Sequence, residues 1–175
     1  RLPDGLELVS ASPELLLEID GDRARTEPMK GTAAPGRAAE LWASAKDEAE
    51  LAMITDLLRN DLARVCLPKT VRVVSARRLV ELPYAVQAVS EVEGRLPPGA
   101  RLSEVLEAIH PGGSITGAPK AAARELIRRL ERTPRGVYCG ALGLAESERT
   151  TLSLLIRTAW RAAPTAPWSY GVGGG

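Results

Sequence analysis

One long stretch of helical periodicity, set between runs that alternate as strands do, constrains this chain more than any other feature. Ile54, Leu58, Leu62 and Val65 recur at helical spacing, and Met53 and Leu57 widen the stripe, so one face of a helix is buried. Ser44 followed by Asp47 fits a helix-start signal. Asp47, Glu48 and Glu50 favour the positive end of the helix dipole, and Pro68 stops the helix. Upstream, LELV and ELLLEI read as strands. Asp20-Gly21-Asp22 makes a hairpin turn that returns the chain through Arg23 to Glu27. Residues 31–43, rich in Ala, Gly and Pro, read as a loop with a short helix start. Downstream, VRVVSA, RRLVEL and YAVQAVSEVEG read as three strands, followed by a Pro97-Pro98-Gly99 turn. Leu102 to Ile109 reads as a short helix and His110 to Pro119 as a glycine-rich loop. Pro119 suits the first turn of a third helix that ends near Glu131. Residues 137–145 and 150–161 read as strands, with a last one from Trp168. Three helices and several sheet segments make the class α+β, in one unit spanning 1–175.

Apolar residues make up 45% of the chain, enough for a packed core rather than a disordered tail. The 23 basic residues nearly match the 22 acidic ones, which gives no field for nucleic acid or an anionic membrane. Aromatics are 3% and Phe is absent, so base-stacking platforms are not expected either. No apolar run approaches the roughly eighteen residues of a membrane span. Cys66 and Cys139 match no zinc spacing and make no disulfide framework; two reduced thiols in a cytoplasmic protein are expected. The chain opens without Met, in RLPDG, and stops in GVGGG, so both ends read as cut.

Two segments invite chemistry. In PGGSITGAPK, Gly112 and Gly117 have the spacing of a phosphate loop, but Ala118-Pro119 separate the second Gly from Lys120 and no Ser or Thr follows. A nucleotide loop is therefore rejected. What survives is a glycine-rich entry to a helix, which is either an ordinary helix start or a seat for a carboxylate. In PMKGT, Lys30 stands between Pro28 and Gly31 at a strand end; taken alone, such a Lys is solvated surface.

Taken together, SPELLLEIDG, TEPMKGTA, SAKDEAELAMITDLLRND, HPGGSITGAPK, RGVYCGALG, LLIRTA and YGVGGG form an ordered series. It resembles the chorismate-binding family of anthranilate, aminodeoxychorismate, isochorismate and salicylate synthases, over essentially the whole chain. The resemblance implies that family's fold, with antiparallel sheets packed against helices, incomplete at both ends. Anthranilate and isochorismate enzymes usually carry Ala where Lys30 stands, so the spelling is most similar to aminodeoxychorismate synthase component I. That implies exchange of the chorismate hydroxyl for an amine, with ammonia supplied by a separate glutamine amidotransferase subunit, in para-aminobenzoate and folate biosynthesis.

By the same resemblance Glu14 is the acid that protonates the leaving hydroxyl, which needs a carboxyl protonated near neutrality. Lys30 is the nucleophile that adds to the ring, which needs a neutral amine. Glu50 is a Mg²⁺ carboxylate, and Arg157 pairs with a substrate carboxylate. Thr32, Ser114, Tyr138, Gly171, Gly173 and Gly174 contact the ligand. Each has a plainer reading: Glu14 as a surface carboxylate on an edge strand, Glu50 as a helix first-turn acid. Arg59-Asn60-Asp61 read as a structural polar knot. Two departures stand out. Relatives usually have His where Gln87 stands, and that His assists pyruvate loss in anthranilate synthases. The loop between Lys30 and Glu50 is also shorter than in relatives. His110 reads as a packing residue. Anthranilate or isochorismate synthesis, and a non-catalytic degenerate relative, are the alternatives.

Overall fold

The structure, a computed structural model, describes residues 4–171. The long helix expected from periodicity is α2 (Ala45–Ala63). Ser44 caps it, its hydroxyl accepting the backbone N–H of Asp47 at 3.3 Å. Leu51, Ile54, Leu58 and Leu62 are buried as a stripe. Met53 is 55% exposed, so it does not widen the stripe as the sequence suggested; it lies one position away from Ile54, about 100° around the helix. Two polar residues, Thr55 and Asp61, share the buried face. Thr55 satisfies its hydroxyl by donating to the Leu51 carbonyl at 2.6 Å.

The strands are β1 (Glu7–Ser10), β2 (Leu15–Asp20), β3 (Arg23–Glu27), β4 (Met29–Ala33), β5 (Arg72–Leu82), β6 (Ala85–Arg95), β7 (Ala141–Ala145), β8 (Arg149–Leu154), β9 (Thr158–Arg161) and β10 (Ser169–Gly171). Every pairing among them is antiparallel. A seven-stranded sheet runs β4-β6-β3-β2-β8-β7, with β5 along the other side of β6; a three-stranded sheet runs β1-β9-β10. The Asp20-Gly21-Asp22 hairpin forms as expected, with Asp20 opposite Arg23 and Gly21 at φ +58. The class is α+β.

The remaining helices are α1 (Ala38–Ala43), α3 (Leu102–Ile109), α4 (Gly113–Thr116) and α5 (Lys120–Leu130). The sequence suggested three helices. α1 arises inside the expected loop, and α4 is a single turn inside the glycine-rich loop. Pro119 is the N-cap of α5 rather than a first-turn residue. VRVVSA and RRLVEL are one strand, β5, whose pairing with β6 is irregular near Ser75 and Arg78. Val137 to Gly140 form a turn, not a strand, with the Gly140 N–H donating to the Val137 carbonyl at 3.0 Å. Residues 150–161 break between β8 and β9 and enter two different sheets.

The core lies between the large sheet and α2 and α3. Leu17 (β2), Leu62 (α2), Ile109 (α3) and Leu154 (β8) are all 0% exposed within it. The opposite face of the sheet carries cross-strand ion pairs. Glu18 meets Arg25 at 3.0 Å and Arg149 at 2.9 Å, and Glu93 meets Arg72 at 2.7 Å and Arg23 at 2.5 Å. Alternation between these two faces fixes the strand register. Cys66 and Cys139 are both buried and unbridged. Burial pushes the Cys66 thiol up to about 11, so it stays protonated near neutral pH. Among the described residues no helix is long and apolar enough to cross a membrane.

Candidate active site

Pro28, which has no N–H for a ladder, divides β3 from β4; both lie along β6, and β3 also pairs with β2. The pairing of β4 is irregular between Met29 and Thr32, and Gly31 sits there at φ +88. A Cβ on Gly31 would come within 2.9 Å of Asp47 Cβ and 2.8 Å of Leu41 Cδ1, so only glycine allows β4 to lie against α1 and α2. This bulge presents Lys30 to a cleft of about 170 Å³. Glu14 and Pro13 line it from the start of β2, Thr32 from β4, Gln87 from β6, Ser114 and Ile115 from α4, and Ile156 and Arg157 from the β8–β9 break.

The polar groups in this cleft are interlocked. The Ser114 hydroxyl donates to Glu14 Oε1 at 2.7 Å, and the Lys30 ammonium donates to the Ser114 carbonyl at 3.5 Å. Glu14 is therefore not a surface carboxylate on an edge strand. Burial pushes its carboxyl above the usual carboxylate range, and the Ser114 hydroxyl and the Lys30 charge pull back part of that rise. Arg157 is not on a strand, as the sequence suggested. It occupies the break at φ +49, a conformation that side chains other than glycine rarely adopt. Ala11 holds it there by donating to its carbonyl at 3.1 Å.

A buried brace fixes the Ser114 loop. Lys120 Nζ lies 2.5 Å from Asp61 Oδ2 and donates to the Ile109 carbonyl at 3.0 Å, joining the two ends of the loop to α2. Asp61 is 3% exposed, and burial pushes its carboxyl up while the charges of Lys120 and Arg64 oppose the rise. At Gly113 a Cβ would come within 2.0 Å of Leu57 Cδ2, so the loop closes directly onto α2. The sequence reading placed Asp61 in a polar knot and missed this partner. Its signal was present: Asp61 falls on the same helical face as Ile54 and Leu58, where a buried acid needs a cation.

Five of the expected site residues thus meet in one cleft: Glu14, Lys30, Thr32, Ser114 and Arg157. Tyr138 does not line it. Its ring lies against Gly171, where a Cβ would fall 2.1 Å from Tyr138 Cδ2. Gly173 and Gly174 lie outside the described residues. Glu50 does not line the cleft either; its carboxylate is 3.4 Å from Lys46 one helical turn away. No group of three or more potential His, Cys, Asp or Glu ligands occurs among the described residues. A magnesium ion commonly takes one or two protein carboxylates with water and substrate oxygens, and Glu50 is the carboxylate that the resemblance assigns to it. The single histidine, His110, is outside the cleft, with Nε2 3.3 Å from the Cys139 carbonyl oxygen.

The antiparallel α+β frame that carries this cleft has counterparts among known proteins. Anthranilate synthase component I from Streptococcus pneumoniae superposes with a TM-score of 0.79 at 33% identity, over 89% of this chain and 36% of that one. Anthranilate synthase component 1 1 of Haloarcula marismortui is 44% identical over 97% of this chain and 36% of its own length. Aminodeoxychorismate synthase component 1 of Salmonella typhimurium is 39% identical over 90% of this chain and 37% of its own. The chain spans little more than a third of the length of these relatives. The model of the chorismate binding enzyme family matches residues 2–175, from one end of the chain almost to the other, and the chain belongs to that family.

Proposed function

We propose that this chain carries the catalytic cleft of an enzyme that converts chorismate and ammonia to 4-amino-4-deoxychorismate. The observation that carries the reading is Lys30, presented by the β4 bulge into the cleft that holds Glu14. Glu14, whose carboxyl burial pushes above the usual carboxylate range, gives a proton to the ring hydroxyl, which leaves as water while the Lys30 amine adds to the ring. Ammonia then adds and the Lys30 amine departs; the Glu14 carboxylate takes up the proton that ammonia sheds. Arg157 and Thr32 offer donors to the substrate carboxylates. Ammonia would come from a glutaminase partner. The cleft holds no imidazole to serve the extra proton transfers of pyruvate loss, which favours a product that keeps its enolpyruvyl group.

The second reading is anthranilate synthesis, favoured by the 44% identity to the Haloarcula protein. The deciding experiment supplies the gene product that contains this chain with chorismate, ammonium and Mg²⁺ and separates the products. Aminodeoxychorismate supports the proposal; anthranilate or isochorismate keeps the family and removes the product assignment. Lys30→Ala is expected to abolish ammonia incorporation while chorismate still binds, and wild-type turnover in that variant removes the nucleophile role. Magnesium at Glu50 enters no step above. It is tested by the Mg²⁺ titration of Glu50→Ala, where an unchanged curve makes Glu50 a helix-start acid alone.

A further inference from the structure

α1 is six residues long, too short to hold as a helix by itself. Arg37 at its start gives no side-chain cap, and its last turn carries no basic residue to meet the carbonyls left open there. The cation comes from the sheet instead. Arg77 of β5 donates through Nη2 to the Leu41 carbonyl at 2.5 Å and through Nη1 to the Trp42 carbonyl at 3.0 Å. The Trp42 ring lies over the guanidinium, with Cζ 5.0 Å from its centroid, and Glu48 of α2 stands 3.6 Å from Nη1. The Arg77 side chain is 9% exposed, and its Nε is buried without a hydrogen-bond partner among the described residues. Ser75 faces Glu91 and Arg78 faces Val89, so β5 advances by one residue more than β6 over this stretch. At this bulge Arg77 reaches α1, while its neighbour Arg78 reaches Glu27 on the ion-paired face of the sheet. What α1 covers is the bulge of β4. Leu41 is 3% exposed and packs with Leu51, Val86 and Ala88. Its Cδ1 is the atom that a Cβ on Gly31 would meet at 2.8 Å, and Gly31 directly follows Lys30.

We propose that Arg77 is a positioning residue for Lys30: by holding the end of α1 it keeps Leu41 against Gly31, and so fixes the bulge that aims Lys30 into the cleft. This rests on the reading of Lys30 as the nucleophile. Arg77 does not line the cleft and touches no reacting group; it acts through the backbone of β4. A lysine amine rides on a flexible stem, so its aim is only as good as the backbone beneath it. An attacking amine must also stand within about 3–3.5 Å of the ring carbon and in line with it. The planar fork of Arg77 spans two neighbouring carbonyls at once, which a lysine ammonium cannot copy. Glu14, Ser114 and Arg157 are supplied by other parts of the fold, so loss of Arg77 disturbs the Lys30 wall and leaves theirs in place.

The test introduces Arg77→Met into the gene product that contains this chain. Met keeps an unbranched side chain beneath Trp42 and removes both hydrogen bonds. Three quantities are compared with wild type: calorimetric affinity for chorismate without ammonia, turnover with ammonia, and the rate at which limiting acetic anhydride labels Lys30, read by mass spectrometry against the exposed Lys69. Chorismate affinity is expected to stay within about twofold of wild type. Turnover is expected to fall about a hundredfold, as for a reacting group displaced by about 1 Å. Lys30 is expected to label faster as the bulge loosens, with Lys69 unchanged. Should Arg77→Met fail to fold, Arg77→Lys carries the test. It keeps the charge but reaches one carbonyl, and the same changes should appear at smaller size. A lower melting temperature with wild-type turnover and wild-type Lys30 labelling would make Arg77 a structural residue and overturn the proposal. Parallel losses of affinity and turnover would overturn it too, since the whole cleft would then depend on Arg77. If wild type yields no aminated product, the reading of the function falls, and the labelling of Lys30 still decides whether Arg77 holds the bulge.

Discussion

Replacing Lys120 with Met cuts the brace under the Ser114 loop and isolates one buried charge. Asp61 is 3% exposed, and Lys120 is the cation that touches it, at 2.5 Å. The Arg64 side chain acts on the Asp61 carboxyl only through its charge, while its backbone N–H donates to the Asp61 carbonyl at 3.2 Å. Removing one member of a buried pair typically costs about 3–5 kcal/mol, because the remaining charge stays desolvated without its partner. Against a domain stability of roughly 5–15 kcal/mol this is a large fraction, so urea unfolding is best followed at reduced temperature. The sign of the pH dependence follows from Asp61. Burial already raises its carboxyl, and loss of the Lys120 charge, which opposes that rise, raises it further. A native pKa above the unfolded one means that stability is fully present below the unfolded value and is lost as pH rises through the native value. The Lys120→Met penalty is therefore largest at neutral pH and shrinks as the solution is acidified and Asp61 is protonated. Adding Asp61→Leu to Lys120→Met removes the isolated charge, and the double variant is expected to be more stable than Lys120→Met alone. A penalty below about 1 kcal/mol, or one that is flat with pH, would refute the view that this ion pair is a dry brace.

Glu14→Gln keeps the shape of the partly buried acid but not its charge. Turnover of chorismate is expected to be lost while stability above neutral pH rises relative to wild type, since the raised native pKa of Glu14 destabilises the fold as pH climbs through it; lower stability of the variant at pH 8 would contradict this. Ser114→Ala removes the hydroxyl that holds the Glu14 carboxyl down, so the alkaline limb of the activity profile should move to higher pH, and an unmoved limb would separate Ser114 from Glu14. Leu62→Ala, at a site with 0% exposure, should cost about 2–5 kcal/mol by denaturant unfolding; a loss under about 1 kcal/mol would mean that α2 does not anchor the core.

The sequence alone determined the elements whose signals are local. The α2 stripe, its Ser44 cap and the Asp20-Gly21-Asp22 hairpin follow from periodicity and turn chemistry, which act over a few residues. The resemblance that the ordered motifs carry also pointed to Glu14, Lys30, Thr32, Ser114 and Arg157, which line the cleft. Only the tertiary structure decided which of them meet. Glu14 and Ser114 are 100 residues apart, and their contact depends on β2 and α4 being packed around one core. The break that sets Arg157 at φ +49 arises because β8 and β9 belong to different sheets, which no local pattern records. Asp61 read only as part of a polar knot, and its partner Lys120 is found only when the first residue of α5 is brought to α2. Gln87 read as a departure from a motif; its burial between β4 and β5, with its carboxamide oxygen unpartnered among the described residues, is a property of the assembled sheet. Local preference is set by covalent geometry and side-chain shape. The placement of a charge or a carboxamide in a dry wall is set by long-range packing, which brings together residues that the sequence keeps apart.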